Sequence, residues 1–422
     1  MTELPRKASV IAFVLLYIAY CISYIDRAAI SLALAQIGKD FNLQAADLGI
    51  VISAFFLGYA AMQVPGGWLS DRFGSKYVVI VDIAMWSLFT AFTSLAWSLT
   101  SLIAIRFIFG IAEGGFPPAS IRAVAEVFKK DSRPKMSGLL LSSNYAGSMV
   151  APLIMAPLIL WLGWRHAFNA IGIAGIVFAV VYFVFVPYLG RPGKADAGAP
   201  VKAESRAPMR ELMKNPLLWQ LMVVWFGLSC VNKGLDSWMP LYLLQQRGLD
   251  LKTVGVLAPI PFVMATIATA MGGWVMTTFF SEREKYLLIG SSALTGIFLY
   301  AMYKSETITM LIAFQSLVYF FKSFVLASVI ALPTKLLRDD QIGSGVGMVN
   351  LGGQSAGFVA PVAIGFIVTG TGSFDAAFGF LVAMTVRRGR GNHQHGAAEA
   401  RTTTGLTGAF CQCKARSFSA AA

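Results

Sequence analysis

Four ionisable residues stand inside apolar segments of this chain. Asp26 and Arg27 are adjacent in the segment "YIDRAAIS", and Arg106 and Glu113 follow in "RFIFGIAEGGF". An ionised side chain at mid-membrane costs roughly 2.5–3.5 kcal/mol even on a lenient insertion scale, so such groups are functional candidates by default. Arginines can hold a carboxylate through their planar forks, and carboxylates can take up protons. These residue types predict an anion site coupled to a proton.

The spacing of the later pair predicts how the four groups meet. Arg106, Gly110 and Glu113 are spaced i, i+4, i+7, which places them on one helix face. The two charges are then about 10 Å apart along the axis and cannot neutralise one another within the helix. We expect their partners to be Asp26 and Arg27. Glu113 is predicted to be the main proton site, with Asp26 tuning its neighbour Arg27; a purely structural charge network is the alternative.

The elements that position these groups are predicted to be membrane-spanning helices. The chain has 422 residues, 56% of them hydrophobic and only 13% charged, with a mean hydropathy of +0.66. Soluble domains are nearer a quarter charged, and a spanning helix needs roughly 20 mostly apolar residues. Apolar runs of that length lie at about 10–33, 48–70, 77–97, 99–127, 138–162, 167–189, 217–244, 254–280, 286–303, 307–334 and 342–369. The fold class is therefore an all-α integral membrane protein.

The placement of the basic residues predicts the orientation of the chain. The net charge is +13, and Lys and Arg cluster at 129–135 and 191–214, on the same side of the predicted membrane as the N-terminus. By the positive-inside rule the N-terminus is cytoplasmic, in a bacterial inner (plasma) membrane. No basic–aromatic pattern suggests nucleic acid. The expected partners are membrane lipid and a small substrate, and the chain is expected to act as a monomer.

An internal repeat divides the apolar runs into two sets. "LGIVISAFFLGYAAMQVPGGWLSDRFGSK" and "VGVLAPIPFVMATIATAMGGWVMTTFFSERE" match at an offset of 206 residues, which aligns Gly49 with Gly255. Later, Ala151-Pro152 echoes Ala360-Pro361. Parallel repeats of this kind place a substrate site between the two halves, near the middle of the bilayer.

The repeat and the composition together predict the domain boundaries. These are an N-terminal six-helix half at 1–189, a cytoplasmic linker at 190–215, a C-terminal half at 216–385 and a polar tail at 386–422. The twelfth apolar run, at 376–386, is too short to span a bilayer. A truncated or altered last helix, followed by an aberrant tail from a frameshift, is the expectation.

Two motifs resemble a known transporter family. The loop "GGWLSDRFGSK" resembles the signature loop of the major facilitator superfamily, and "YIDR" with "RFIFGIAEGGFPPAS" resembles its anion:cation symporter family. The resemblance implies the major facilitator fold, with two pseudo-symmetric six-helix halves. It also implies proton-coupled symport of a small organic carboxylate, such as a sugar acid or aromatic acid, by alternating access.

The resemblance also implies roles for individual residues. They are substrate binding by Arg27, Tyr59, Arg106 and Asn350, proton coupling by Asp26 and Glu113, and gating by Gly67, Asp71 and Arg72. From the sequence alone, a residue such as Tyr59 is more often a packing residue, and Asn350 is equally compatible with a helix–helix hydrogen bond.

Two further cations lie within apolar runs of the second half. Lys233 is three residues before Asp236, and we expect these two side chains to pair; contact of Lys233 with the substrate is the alternative. Lys322 has no role that the sequence predicts.

Other function classes fit this sequence poorly. It carries no metal-ligand spacing, no P-loop and no nucleophile beside a base, so neither an enzyme, a cofactor nor a bound metal is expected; the coupling ion is H⁺. The alternatives to symport are a non-transporting anion-sensing receptor of the same fold and an organic-anion exchanger or exporter.

Overall fold

The helices match the apolar runs of the sequence. A computed structural model describes residues 6–129, 132–186, 213–280, 283–336 and 339–391. The helices of these ranges are α1 Arg6–Asp40, α2 Ala45–Phe73, α3 Ser75–Thr93, α4 Leu99–Gly114, α5 Phe116–Val127, α6 Arg133–Phe185, α7 Pro216–Gln245, α8 Leu251–Leu257, α9 Ile260–Phe279, α10 Glu284–Lys304, α11 Ile308–Leu336, α12 Asp339–Thr371 and α13 Phe374–Gly391. Within the described ranges, nine helical segments are long and apolar enough to cross a membrane, which confirms an all-α membrane protein.

Two of the predicted boundaries fall mainly outside the described residues. They are the linker at 190–215, most of which lies in 187–212, and the tail at 386–422, most of which lies in 392–422. The division into two halves stays a prediction, and we use "first half" for α1–α6 and "second half" for α7–α13. The apolar part of α13 is the short segment Phe374–Thr385.

Glycine and proline divide the longer helical segments. Gly163 has a φ of 74° inside α6, and this left-handed residue separates the two predicted runs 138–162 and 167–189. The run 99–127 forms both α4 and α5. The break between the two helices falls just before Pro117 and Pro118, which lie in the first turn of α5. Proline fits there because the N–H groups of a first turn have no hydrogen-bond partner within the helix.

A close crossing of α2 and α4 positions the two charges on α4. A methyl group at Gly110 would lie 2.1 Å from the carbonyl oxygen of Phe55, so the backbones touch there. Gly110 lies between Arg106 and Glu113 on the same face of α4, as the spacing predicts. The crossing therefore fixes both side chains against α2, in the way that small residues bring membrane helices together.

Substituting Gly110 should loosen this crossing. Gly110→Ala should lower the stability of the folded protein by about 1–3 kcal/mol, because the added methyl group meets backbone that cannot rotate away. Gly138→Ala in α6 is the matched control, since nothing lies within 4 Å of its added methyl group. The measurement is the midpoint of thermal aggregation in detergent. Equal midpoints for the two variants would contradict the close crossing.

The halves meet closely at one end of the bundle, which we call the tight end. A methyl group at Gly49 would lie 2.6 Å from the carbonyl oxygen of Pro361, and one at Gly255 would lie 3.2 Å from that of Pro152. These are the residues that the repeat aligns, glycine with glycine and proline with proline. Each half thus presents a glycine to a proline of the other half.

Two hydrogen bonds reinforce the tight end. The Ser53 hydroxyl donates to the carbonyl oxygen of Phe358 at 2.8 Å, and the Ala46 amide donates to the Thr369 hydroxyl at 2.8 Å. All four groups are uncharged. We call the opposite end of the bundle the linker end. It carries the α2–α3 turn and those ends of α1 and α6 that are farthest from the tight end.

The outer faces of the helices are apolar and exposed, as lipid-facing surfaces are. On α1, for example, Val10, Val14 and Ile18 recur every fourth residue and are exposed. Asp26 is buried on the same helix, and Arg27 is nearly so. The charges therefore point inward, where other helices can supply partners.

Candidate functional site

An ion pair between α1 and α4 forms the centre of the site. Arg27 donates from Nε to Oε1 of Glu113 at 2.7 Å, and the hydroxyl of Ser23 donates to the same oxygen. The Glu113 side chain is 0% exposed, whereas that of Arg27 is 13% exposed. This confirms the expectation that Glu113 finds its partner on α1. Glu113 thus binds the guanidinium of Arg27 on its buried side.

Aromatic rings surround the guanidinium of Arg27. Its Cζ lies 4.5 Å from the ring centroid of Tyr59, 4.7 Å from that of Tyr24 and 5.2 Å from that of Phe55. Cation–π contacts of this kind hold a guanidinium in a fixed orientation. Tyr59 therefore does more than fill space, because it positions Arg27. Direct contact between Tyr59 and a substrate stays a prediction.

Asp26 and Arg106 lie deeper than the ion pair. Both are 2% exposed, and neither carboxylate oxygen of Asp26 has a hydrogen-bond partner among the described residues. Asp26 interacts electrostatically with Arg106 and Glu113. The Cζ of Arg106 lies 4.6 Å from the ring centroid of Phe109. Arg106 is thus a buried counter-charge for Asp26 in this conformation.

The predicted roles of the two carboxylates on Arg27 need correction. Asp26 was expected to tune Arg27, yet the ion pair joins Arg27 to Glu113, which was expected to be the main proton site. The physical reason is that adjacent helical residues point about 100° apart, so Asp26 turns towards α3 and α4 while Arg27 turns towards α2. Of these two carboxylates, Asp26 is the one with no hydrogen-bonded ion-pair partner among the described residues.

Sequence reasoning missed a third buried carboxylate, Asp82 on α3. Asp82 is buried, and its Oδ2 has no hydrogen-bond partner among the described residues. It lies against the break between α4 and α5, where a methyl group at Gly115 would be 3.0 Å from Oδ2. An aspartate within the apolar run 77–97 was the signal that could have identified it.

One of the predicted gating residues, Asp71, joins an ion-pair network at the linker end. Arg122 of α5 donates to Asp71 of α2 and, from Nε, to Glu126 at 2.8 Å. The hydroxyl of Ser75 also donates to Glu126. This network connects α2, α3 and α5 within the first half. The i, i+4 spacing of Arg122 and Glu126 was the signal for the missed members.

The other two gating residues have smaller contacts. The guanidinium of Arg72 lies 5.2 Å from the ring centroid of Trp68, and Gly67 packs beside Pro118. Both stand where α2 approaches its end at the linker end. Their role in gating stays a prediction.

The cations of the second half are arranged differently from the prediction. Asp236 accepts a hydrogen bond from the hydroxyl of Tyr319, so it does not pair with Lys233. The expected pair is wrong because Tyr319, from α11, reaches Asp236 across the helix interface. Lys233 instead lies with Nζ 5.0 Å from the ring centroid of Phe56, on α2 of the first half.

Lys322, for which the sequence predicted no role, is buried between α7 and α11. Its ammonium group donates to Oδ1 of Asn232 and lies 3.5 Å from the ring centroid of Tyr319. Among the described residues, neither Lys322 nor Lys233 has a carboxylate oxygen within 4.0 Å. The second half therefore carries two buried or half-buried cations without ion-pair partners.

Asn350 is exposed on α12 and makes no hydrogen bond within the described part of the chain. The helix–helix hydrogen bond considered from the sequence is therefore not observed. Asn350 lies two turns before Gly357, which packs against Phe56 of α2, so it is on the face of α12 that looks towards the first half. This position is compatible with substrate contact, which stays a prediction.

The described residues offer no metal site, since they contain no group of three or more His, Cys, Asp or Glu side chains that could hold an ion. The charged groups of the site are cations, which can bind anions, and carboxylates, which can take up protons.

The sequence profile described as Major Facilitator Superfamily matches residues 16–361 of this chain. The match includes the four charges of the first half, the loop with Asp71 and the second-half cations.

Similar proteins of known name are bacterial transporters. A probable galactarate/D-glucarate transporter of Escherichia coli is 30% identical, over 86% of this chain and 88% of that protein. A probable sulfoacetate transporter of Cupriavidus necator is 29% identical, over 85% and 87%. A hexuronate transporter of Bacillus subtilis is 29% identical, over 88% and 90%.

Solved structures agree with the fold. A bacterial homologue of the human lysosomal transporter Spinster, in an inward-facing and unoccupied conformation, has a TM-score of 0.76 at 18% identity and covers 92% of this chain and 97% of its own. The occupied inward-facing form has a TM-score of 0.77, with 90% and 94% covered.

Proposed function

Because this chain belongs to the major facilitator superfamily, we propose that it takes up a small organic acid together with protons, by alternating access. The protein is a multi-pass membrane transporter and not an enzyme. The names of similar proteins mention galactarate, glucarate, hexuronate or sulfoacetate. These names support sugar acids and related small organic acids as the substrate class.

The observation that carries the proposal is the ion pair of Arg27 with Glu113. A substrate carboxylate and the carboxylate of Glu113 compete for one guanidinium. A proton on Glu113 removes its charge and frees the fork of Arg27 for the substrate. Binding of an anion and uptake of a proton thereby favour one another, which is the coupling that symport needs.

Buried groups around the ion pair make this exchange effective. Asp26 and Arg106 lie behind it without contact with water, and Tyr24, Phe55 and Tyr59 cover the guanidinium. Charges interact strongly in such a place because little water screens them. A change in the charge of Glu113 therefore changes the electrostatic potential at Arg27 with little screening.

The proposed orientation places the N-terminus and the linker end in the bacterial cytoplasm, in line with the basic residues at 129–135 and 191–214. The tight end then closes the outer side. Release of substrate and proton to the cytoplasm follows, as Glu113 loses its proton and reclaims Arg27. The network of Asp71 with Arg122 would act when the linker end closes in its turn.

Uptake into proteoliposomes tests this function. The full chain is reconstituted and given radiolabelled galactarate or hexuronate, with the outside more acidic than the inside. We expect accumulation above the outside concentration, which a protonophore abolishes and a sodium gradient does not replace. Binding without uptake would establish the receptor alternative, and exchange without any effect of the pH gradient would establish an exchanger.

A further inference from the structure

The second half offers a cation that forms no ion pair with any described carboxylate, and it faces the first half. Lys233 stands on α7 with its ammonium group over the ring of Phe56, which belongs to α2. Its nearest carboxylate along the helix, Asp236, accepts a hydrogen bond from Tyr319 instead. A partly buried cation is stabilised by a nearby anion, and no carboxylate oxygen of the described residues lies within 4.0 Å of Lys233.

The described neighbours of Lys233 leave its positive charge without an ion-pair partner. Tyr319 holds Asp236 on the side of α11, and Lys322 lies over the same tyrosine ring while it donates to Asn232. Lys322 is close enough to Asp236 and Lys233 for all three to interact electrostatically. Two cations thus share one carboxylate, so this cluster, which we call the α7–α11 cluster, carries one excess positive charge.

An aromatic pair connects the α7–α11 cluster to Arg27. The rings of Phe55 and Phe56 are 5.0 Å apart, with Arg27 against the first and Lys233 against the second. Lys233 also interacts electrostatically with Arg27 and Glu113. The two cations therefore stand on either side of one aromatic contact between the halves.

We infer that Lys233 forms a second anion subsite, so that the preferred substrate carries two acidic groups, one for Arg27 and one for Lys233. The inference rests on the proposed function and specifies its substrate as a dianion, either a dicarboxylate or a sulfonated carboxylate. With Glu113 protonated, Arg27 is released from its ion pair, so each half presents one cation without an ion-pair partner among the described residues, and two acidic groups match them. A dianion also bridges the halves, which a monoanion on Arg27 does not do.

A matched pair of ligands tests the inference. Galactonate and galactarate share a six-carbon chain and differ in a second carboxylate at the far end. Binding is measured by competition against a labelled galactarate probe, with the purified full chain in detergent. We expect wild-type protein to bind galactarate at least about tenfold more tightly than galactonate.

Variants at Lys233 separate the second subsite from the first. Lys233→Met keeps length but removes charge, and should lose the preference for galactarate while binding galactonate within about threefold of wild type. Lys233→Arg should retain the preference. Lys304→Met, an exposed lysine at the end of α10, is the control and should change neither affinity.

Each other outcome overturns the inference. Equal wild-type affinity for the two ligands would do so without any variant, even if Lys233→Met failed to fold. Equal loss of both affinities in Lys233→Met would make Lys233 a structural residue. In either case, proton-driven uptake of a monocarboxylate in the proteoliposome experiment would leave the proposed function intact. Absence of all uptake would remove the proposed function itself.

Discussion

Glu113→Gln is expected to abolish proton-driven accumulation of substrate and to leave exchange of substrate across the membrane in place. Glutamine resembles protonated glutamate, which cannot form the ion pair with Arg27 at 2.7 Å. The guanidinium is then permanently free for substrate. Transport proceeds, but no proton is carried with it.

The pH dependence of binding should change in the same variant. In wild-type protein, substrate affinity should fall as pH rises, because ionised Glu113 competes for Arg27. In Glu113→Gln this fall should be absent. Other charges that interact with Glu113, namely Asp26, Arg27, Arg106, Asp82 and Lys233, remain in the variant. A difference between the two profiles therefore reports on the charge of Glu113, including its effect on these neighbours.

The measurement compares two modes of transport in the same proteoliposomes. Uptake driven by a pH gradient reports coupling, and counterflow reports exchange. Glu306→Gln, the same change at an exposed site, is the control and should preserve both modes. Accumulation against a gradient by Glu113→Gln would assign the coupled proton elsewhere, and Asp26, buried without a hydrogen-bond partner, would become the leading candidate.

Arg27→Ala should abolish substrate binding. Removing one member of a buried, hydrogen-bonded charge pair costs about 2–5 kcal/mol, which corresponds to at least roughly a thirtyfold loss of affinity. Arg27→Lys keeps the charge but loses the planar fork, so its affinity should lie between those of wild type and Arg27→Ala. Thermal-shift titration with galactarate provides the measurement.

Lys39→Ala controls for the loss of one positive charge on α1. Lys39 is exposed at the end of this helix, and its removal should leave affinity unchanged. Because Arg27→Ala leaves Glu113 without its partner, the amount of folded protein is measured alongside binding. Wild-type affinity in a folded Arg27→Ala variant would remove Arg27 from the substrate site.

The spacing of residues along one helix predicted part of the site well. Arg106, Gly110 and Glu113 lie on one face of α4, and the distance between the charges correctly predicted that Glu113 binds a cation of another helix. The crossing at Gly110 was harder to predict, because a sequence does not say which backbone a glycine will contact.

Proximity along the chain was a poor guide to side-chain pairing. Asp26 next to Arg27 and Lys233 near Asp236 were both expected to interact, and in each case one member binds a residue from another helix. Glu113 is 86 residues from Arg27 along the chain, and Tyr319 is 83 residues from Asp236. Only the packing of helices decides such contacts.

The tight end has a consequence for how ionic conditions act on this transporter. Its contacts between the halves, Gly49 with Pro361 and Gly255 with Pro152, involve no charge, and dissolved salt does not screen them. At the linker end, by contrast, Asp71 pairs with Arg122 through a side chain that is 72% exposed. Among the described contacts, ionic strength therefore acts on the exposed pair at the linker end, while closure of the tight end depends on shape. In the proposed orientation, a change of salinity outside the cell would leave the contacts of the tight end intact.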